Sequence, residues 1–374
     1  MTAASTEQVH GVGGRTFDLT FFFGSALLAY VLGALLVLVP SLVLPLWWAW
    51  VTLIEGPHLV ATWARTYLDP EQRVQRRPLL LASATLIALG PVAWVVSLLL
   101  GRAEVLELFI GGAALWSVHH FVRQHYGILA VLGSHGDWTQ AERRTDSRFL
   151  YTSLWGIYVL FLISNTQTRA HVGMTAAPTP TEMTIVLTLA GCLALASCFY
   201  VAVIVSRMRR GRRVLGPAYA LCVAVGLTTF GYLVVGAAEP LVERRATLDH
   251  GFLGLSLVVG VCHGIQYLGL VAITSGRRAR RRMSESLWKR AALQPWLSYA
   301  CSVVVSASVW CSLNAGGGLA PNIAPLGYDT PASKLVLAVY WSLLIHHFYL
   351  DQKIWRIGDD ASLRFDLNLQ RAQA

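Results

Sequence analysis

The stretch 183–206, MTIVLTLAGCLALASCFYVAVIVS, contains no charged side chain and is closed by Arg207, Arg209, Arg210, Arg212 and Arg213. About 20 apolar residues in helical form cross the hydrocarbon core of a bilayer. A helix satisfies its own backbone hydrogen bonds there, which an irregular segment cannot do. The stretch therefore reads as a transmembrane helix, with its arginine-rich end on the cytoplasmic side.

Working outward, the same pattern recurs over the whole chain of 374 residues. Ten apolar runs predict helices near 18–39, 42–65, 78–100, 104–132, 148–165, 183–206, 217–237, 249–274, 295–313 and 333–356. Apolar residues make up 55% of the chain and charged residues only 13%, about half the usual charged share. Such a chain cannot cover its surface with polar groups. The expected fold is all-α, a polytopic integral-membrane bundle of about 10 transmembrane helices. It forms a single domain over 1–374, with polar cytoplasmic tails at 1–16 and 358–374.

Lys and Arg set the orientation. Of the 30, 24 lie in the N-terminal tail, in the loops after even-numbered helices or in the C-terminal tail, and only five lie in loops after odd-numbered helices. That split places both termini in the cytoplasm and the protein, as a multi-pass chain, in the cell's inner (cytoplasmic) membrane. The net charge of +10 is thus topology rather than a nucleic-acid groove, and no nucleic acid is expected as a partner. Six cysteines lie inside apolar segments without a CxxC pair, which speaks against a disulfide framework or a zinc knuckle. No basic n-region precedes the first apolar run, so no signal peptide is expected. The absence of a P-loop or GxGxxG motif removes the common nucleotide-binding readings. Loop 275–294 is expected along the inner headgroups, with Leu287 and Trp288 dipping in. Loop 314–332, rich in Gly and Pro, reads as a connection between spans.

Seven of the eleven histidines fall within apolar spans: His58, His119, His120, His125, His263, His346 and His347. All seven are on the second, fourth, eighth and tenth helices. Ionisable groups inside a membrane are costly and tend to face a cavity or a partner. At about 1.5 Å per residue, His58 lies roughly 10 Å before Arg65 and His347 roughly 13 Å before Arg356, so the clusters share one layer. Helical phase puts Trp116, His119, His120 and Arg123 on one face, and His125 well outside it. It also groups Glu55, His58, Thr62 and Arg65; His263, Gln266 and Tyr267; and His346, His347, Leu350 and Asp351. Gly260 and Gly264 form a GxxxG pair flanking His263, which invites close approach of another helix. Pro57 is expected to kink the second helix beside His58.

Many imidazoles with one or two carboxylates and no positioned thiolate suit a first-row metal. His58, His119, His120, His263, His346, His347 and Asp351 are the candidate ligands. Glu55, Thr62, Arg123, His125, Gln266 and Tyr267 are candidates for supporting or substrate contacts. Asp351 is expected to be ionised and to hold a ligating ring in one tautomer. Iron is the expected metal, because a membrane-buried iron serves chiefly oxygen chemistry on a lipid-dissolved molecule. The partners are then the bilayer, O2 and a hydrophobic small-molecule substrate. Haem held by two histidines, in an electron-transfer protein, is the alternative cofactor. A transporter or metal permease is a further alternative, and oligomeric state is left open.

The segments EGPHLVATWARTYLD (55–69) and HHFYLDQKIWR (346–356) resemble elements of the Brp/Blh family, integral-membrane proteins that cleave β-carotene using histidine-bound iron. The resemblance implies that His58 matches the first element and His347 with Asp351 the last, with His120 and His263 between. It implies a membrane non-haem iron oxygenase or oxidoreductase, a dioxygenase of a carotenoid or fatty acyl chain. A looser likeness, RQHYGI, is to a histidine box of membrane alkane hydroxylases and desaturases, whose HxxxH and HxxHH boxes are absent here.

Overall fold

The structure, a computed structural model, describes residues 11–135, 138–171, 174–175, 177–239, 250–282, 286–315 and 331–369. Every regular element among them is helical. We number the ten long helical stretches in chain order: α1 Arg15–Leu38, α2 (residues 40–66), α3 Arg77–Leu100, α4 Glu104–Ser134 and α5 Gln140–Ser164. They continue with α6 Pro180–Arg209, α7 Leu215–Val235, α8 His250–Arg281, α9 Pro295–Ala315 and α10 Pro331–Ile354.

Seven of these, α1 and α3 to α8, are long and apolar enough to cross a membrane, which fits a multi-pass helical membrane bundle. An eighth is added if the helix Leu287–Leu293 and the following 295–310 segment, bent by 104°, count as one span. The second and tenth expected spans stand apart for a physical reason. Helix α2 is broken into a 3-10 turn, an α segment, a π turn over Val51–Glu55 and a final α segment. Helix α10 carries Ser342, His346, His347, Asp351, Gln352 and Lys353. The α6 helix shows the opposite character, exposing Ile185, Leu187, Leu195 and Phe199. Each such side chain in water forgoes about 1.5–3 kcal/mol of burial, so this face belongs against lipid.

Two helices begin earlier than hydropathy alone suggests. Thr139 and Thr179 each cap a helix, accepting from the backbone N–H of Glu142 and Glu182, whose side chains reach back to the caps. This capping box satisfies donors that the first turn leaves orphaned, so α5 starts at Gln140 rather than near 148.

Helix α2 changes from a π turn to an α segment at Gly56, next to Pro57. Pro57 offers no N–H to the carbonyl four residues earlier, that of Leu53, and this oxygen accepts from Tyr299 Oη of α9 at 2.8 Å. Helix α8 then packs against α2 through the GxxxG pair. A Cβ on Gly260 would come within 2.3 Å of the Trp50 ring, and one on Gly264 within 2.4 Å of Ile54. Gly90 of α3 likewise lies under α10, where a Cβ would meet the Ala338 carbonyl oxygen at 2.0 Å.

The arginine-rich end of the bundle is tied down by ion pairs. Arg278 reaches Asp69 and Asp366, each at 3.3 Å, and Arg282 reaches Asp69 at 2.7 Å and Glu71 at 2.6 Å. Several arginines read as topology residues therefore clamp the α2–α3 connection and the chain end onto α8. The C-terminal segment packs with them, burying Leu363 and Leu367. Trp288 differs from expectation: it is buried against protein, donating to the Ala64 carbonyl at 3.0 Å, while Leu287 is exposed. Loop 314–332 lies largely outside the described residues.

Candidate metal centre

Four helices converge at one buried point. His58 comes from α2 just after Pro57, His120 from the middle of α4, His263 from between the two close-packed glycines of α8, and His347 from α10. Ring centroids are 4.5 Å apart for His58 and His347, 4.9 Å for His58 and His263, 5.0 Å for His120 and His347, and 5.1 Å for His120 and His263. All four side chains are buried. Phe348 stacks on His120 with centroids 4.6 Å apart, walling the ring in.

The donor atoms face one another. One nitrogen each from His58, His263 and His347 lie within 4.8 Å of one another, as do donors from His120, His347 and Asp351. His347 belongs to both groups. His58 Nδ1 and Nε2, His120 Nε2, His263 Nδ1 and His347 Nε2 have no hydrogen-bond partner among the described residues. A buried polar atom without a partner is costly, on the order of 1–3 kcal/mol each, and several facing inward at one point need a common explanation. Ligands bound at about 2.0–2.2 Å lie at most about 4.4 Å apart. Side-chain shifts of under about an ångström would bring these donors to that spacing, so the residues present fit a metal ion.

Comparison with known protein families, with curated proteins and with solved structures returns no match.

A hydrogen-bond chain orders the ring of His347. Its Nδ1 lies 2.7 Å from Thr62 Oγ1, which lies 2.7 Å from Tyr267 Oη, and that phenol donates to Asp351 Oδ1 at 2.8 Å. With His347 Nδ1–H donating to Thr62 and Thr62 donating to Tyr267, each hydroxyl gives once and receives once. That assignment leaves His347 Nε2 as a lone pair, 3.6 Å from Asp351 Oδ2. The same carboxylate oxygen lies 3.9 Å from His120 Nε2. On the opposite side, Glu55 Oε2 is 3.8 Å from His58 Nδ1.

The remaining candidates lie elsewhere. His119, one residue and about 100° around α4 from His120, turns toward Trp155 of α5, with centroids 6.4 Å apart. His346 turns the other way, with Nε2 2.9 Å from Tyr67 Oη and Nδ1 accepting from Trp63 Nε1 at 3.5 Å. Both of its nitrogens are engaged away from the centre. His125 is buried against Tyr219, Nδ1 to Oη at 2.5 Å, and Tyr219 donates to Gln266 at 3.2 Å. This link supports α8 beside His263 rather than entering the donor set. Arg123 is exposed and donates to Tyr151 Oη at 3.0 Å. Tyr219, Tyr67 and Phe348 were not singled out from sequence, because contacts between helices leave no spacing signal.

A cleft of about 470 Å³ runs from the centre to the arginine-rich end. His120, Tyr267 and Asp351 border it at the inner end, Leu270, Val131 and Trp355 line its walls, and Arg123, Arg143 and Arg356 lie along it.

Proposed function

We propose that this protein is a membrane-embedded, histidine-ligated metal oxidoreductase, an oxygenase acting on a lipid-soluble substrate such as a carotenoid or a fatty acyl chain. The observation that carries the reading is the convergence of four buried imidazoles whose inward nitrogens have no hydrogen-bond partner among the described residues. The reading includes ten spans, α2 and α10 completing the set, with both termini cytoplasmic in the inner membrane. The resemblance to the Brp/Blh family is part of the same proposal, since His58, His120, His263, His347 and Asp351 are the residues it implies.

Nitrogen-rich, thiolate-free ligation suits a first-row metal, and iron is the choice that gives a membrane site oxygen chemistry. When bound, iron would supply activation of O2 toward the substrate. His58, His120, His263 and His347 would hold it, with Asp351 either as a fifth donor or as the acceptor that fixes the ring of His347. The Thr62–Tyr267–Asp351 chain keeps the proton of His347 on Nδ1, and hydrogen bonding on that side raises the basicity of a ligating imidazole. Phe348 and the close α2–α8 packing exclude water from the other sides. Haem fits less well: its iron would take two of the four converging imidazoles and leave the other two without a role.

Metal analysis of detergent-purified protein, together with an absorbance spectrum, tests the reading. The expected result is a stoichiometric first-row metal, iron foremost, with no Soret band. Protein without bound metal, or with stoichiometric haem, would overturn it.

A further inference from the structure

A neutral hydrocarbon would enter a membrane site sideways, through lipid-facing walls, yet the cleft described above runs toward the arginine-rich end of the helices. Its walls are apolar, with Leu270, Val131 and Trp355, and its outer part is basic. Arg356 is balanced by Asp359, Nη1 to Oδ2 at 3.7 Å. Arg123 and Arg143 have no carboxylate partner among the described residues. Arg123 donates to Tyr151 Oη at 3.0 Å and Arg143 to Tyr126 Oη at 3.3 Å. These bonds to neutral hydroxyls orient the two guanidiniums and leave both charges uncompensated. Arg123 is one helical turn beyond His120 on α4, about 4.5 Å along the axis, and Tyr126 lies about 9 Å beyond it. The positive charge is therefore set back from the donor cluster by roughly one to two turns.

We propose that the substrate cleft takes a single-chain amphiphile with an anionic head group, a carboxylate or phosphate monoester. Arg123 and Arg143 hold the head, and the chain runs inward past Leu270 to the centre. The proposal rests on the metal-centre reading and narrows its substrate class. A cleft of about 470 Å³ is within the range for a ligand of this size and too small for a two-chain phospholipid. The set-back of the arginines means that a carbon within the chain, not the head, reaches the four histidines. Gly127 lies on the same wall, and a Cβ there would meet nothing within 4 Å, so a larger side chain would fill the cleft without disturbing the helix.

The test uses full-length protein in phosphatidylcholine nanodiscs and a stearate carrying a spin label at its far end, whose immobilised fraction is read by EPR. Palmitate or hexadecyl phosphate should displace it, the better competitor identifying the head group, while methyl palmitate should not. Arg123→Gln with Arg143→Gln should weaken binding at least about tenfold, as expected for losing charge-assisted hydrogen bonds. A charge-matched control, Arg144→Gln with Arg148→Gln, should bind as the parent does. Gly127→Leu should abolish binding. Equal displacement by methyl palmitate, or unchanged binding in the Arg123/Arg143 variant, would overturn the proposal. Metal content measured on the same samples separates the two readings. Protein that binds the acid but holds no metal sinks the metal centre and leaves the cleft assignment standing; metal-loaded protein that ignores the acid does the reverse.

Discussion

Replacing Thr62 with Val changes almost nothing in shape and removes the hydroxyl at the middle of the chain that orders His347. Thr62 is fully buried, so no water takes the place of Oγ1. Two contacts of 2.7 Å are lost, to His347 Nδ1 and Tyr267 Oη. Tyr267 keeps its bond to Asp351 at 2.8 Å and so loses only an ordinary hydrogen bond, about 1 kcal/mol. His347 fares worse: its Nδ1–H becomes a buried donor without an acceptor, which costs about 1–3 kcal/mol. The total is about 2–4 kcal/mol. Part of it can be relieved only by turning the ring or moving the proton to Nε2, and either change spoils the inward lone pair. Loss of such a supporting contact typically lowers metal affinity about 10–100-fold. The assay is chelator competition on purified protein, with Thr62→Ser restoring the hydroxyl. Unchanged affinity in Thr62→Val, or a Thr62→Ser variant as impaired as Thr62→Val, would refute the proposed role of the hydroxyl.

Histidine substitutions should divide by position: His58→Ala, His263→Ala and His347→Ala should each lose bound metal, whereas His119→Ala and His346→Ala should retain it, as measured by metal analysis after gel filtration. Asp146→Ala should destabilise the bundle by about 3–5 kcal/mol in chemical unfolding. It removes the acceptor of Tyr200 at 2.8 Å and Trp138 at 2.7 Å and the 2.8 Å partner of Arg207, which is left with Glu142 at 3.7 Å. For Glu71, burial raises the carboxyl pKa and is the largest single influence, but the hydrogen bonds from Arg282 and Gln75 and the charges of Arg278 and Arg282 together outweigh it, and the net shift is downward from 4.5. Its contribution to stability is therefore complete above that ordinary value and is lost as pH falls through the lowered one. Glu71→Gln should flatten that acid limb in a pH series of unfolding midpoints, and an unchanged limb would count against the pair.

The sequence by itself determined the class of this protein. Charge-free runs such as 183–206 leave a helix in lipid as the only way to satisfy the backbone. It also determined the layer of the site, because a rise per residue converts sequence position into depth, and His58, His120, His263 and His347 share that depth. It could not say which member of an adjacent pair turns inward. His119 and His120, like His346 and His347, differ by one step of about 100° around the helix, and only the neighbour each face meets decides between them. Trp155 takes His119, Tyr67 takes His346, and the centre takes the other two. The tertiary structure alone decided that Thr62, Tyr267 and Asp351, from three different helices, join into one hydrogen-bond chain. It also decided that the cleft leads to the basic end. Hydrophobic pattern and helical period act along one helix, whereas a site built from four helices depends on their rotation and crossing, set here by contacts such as Gly264 on Ile54 and Gly90 beneath Ala338.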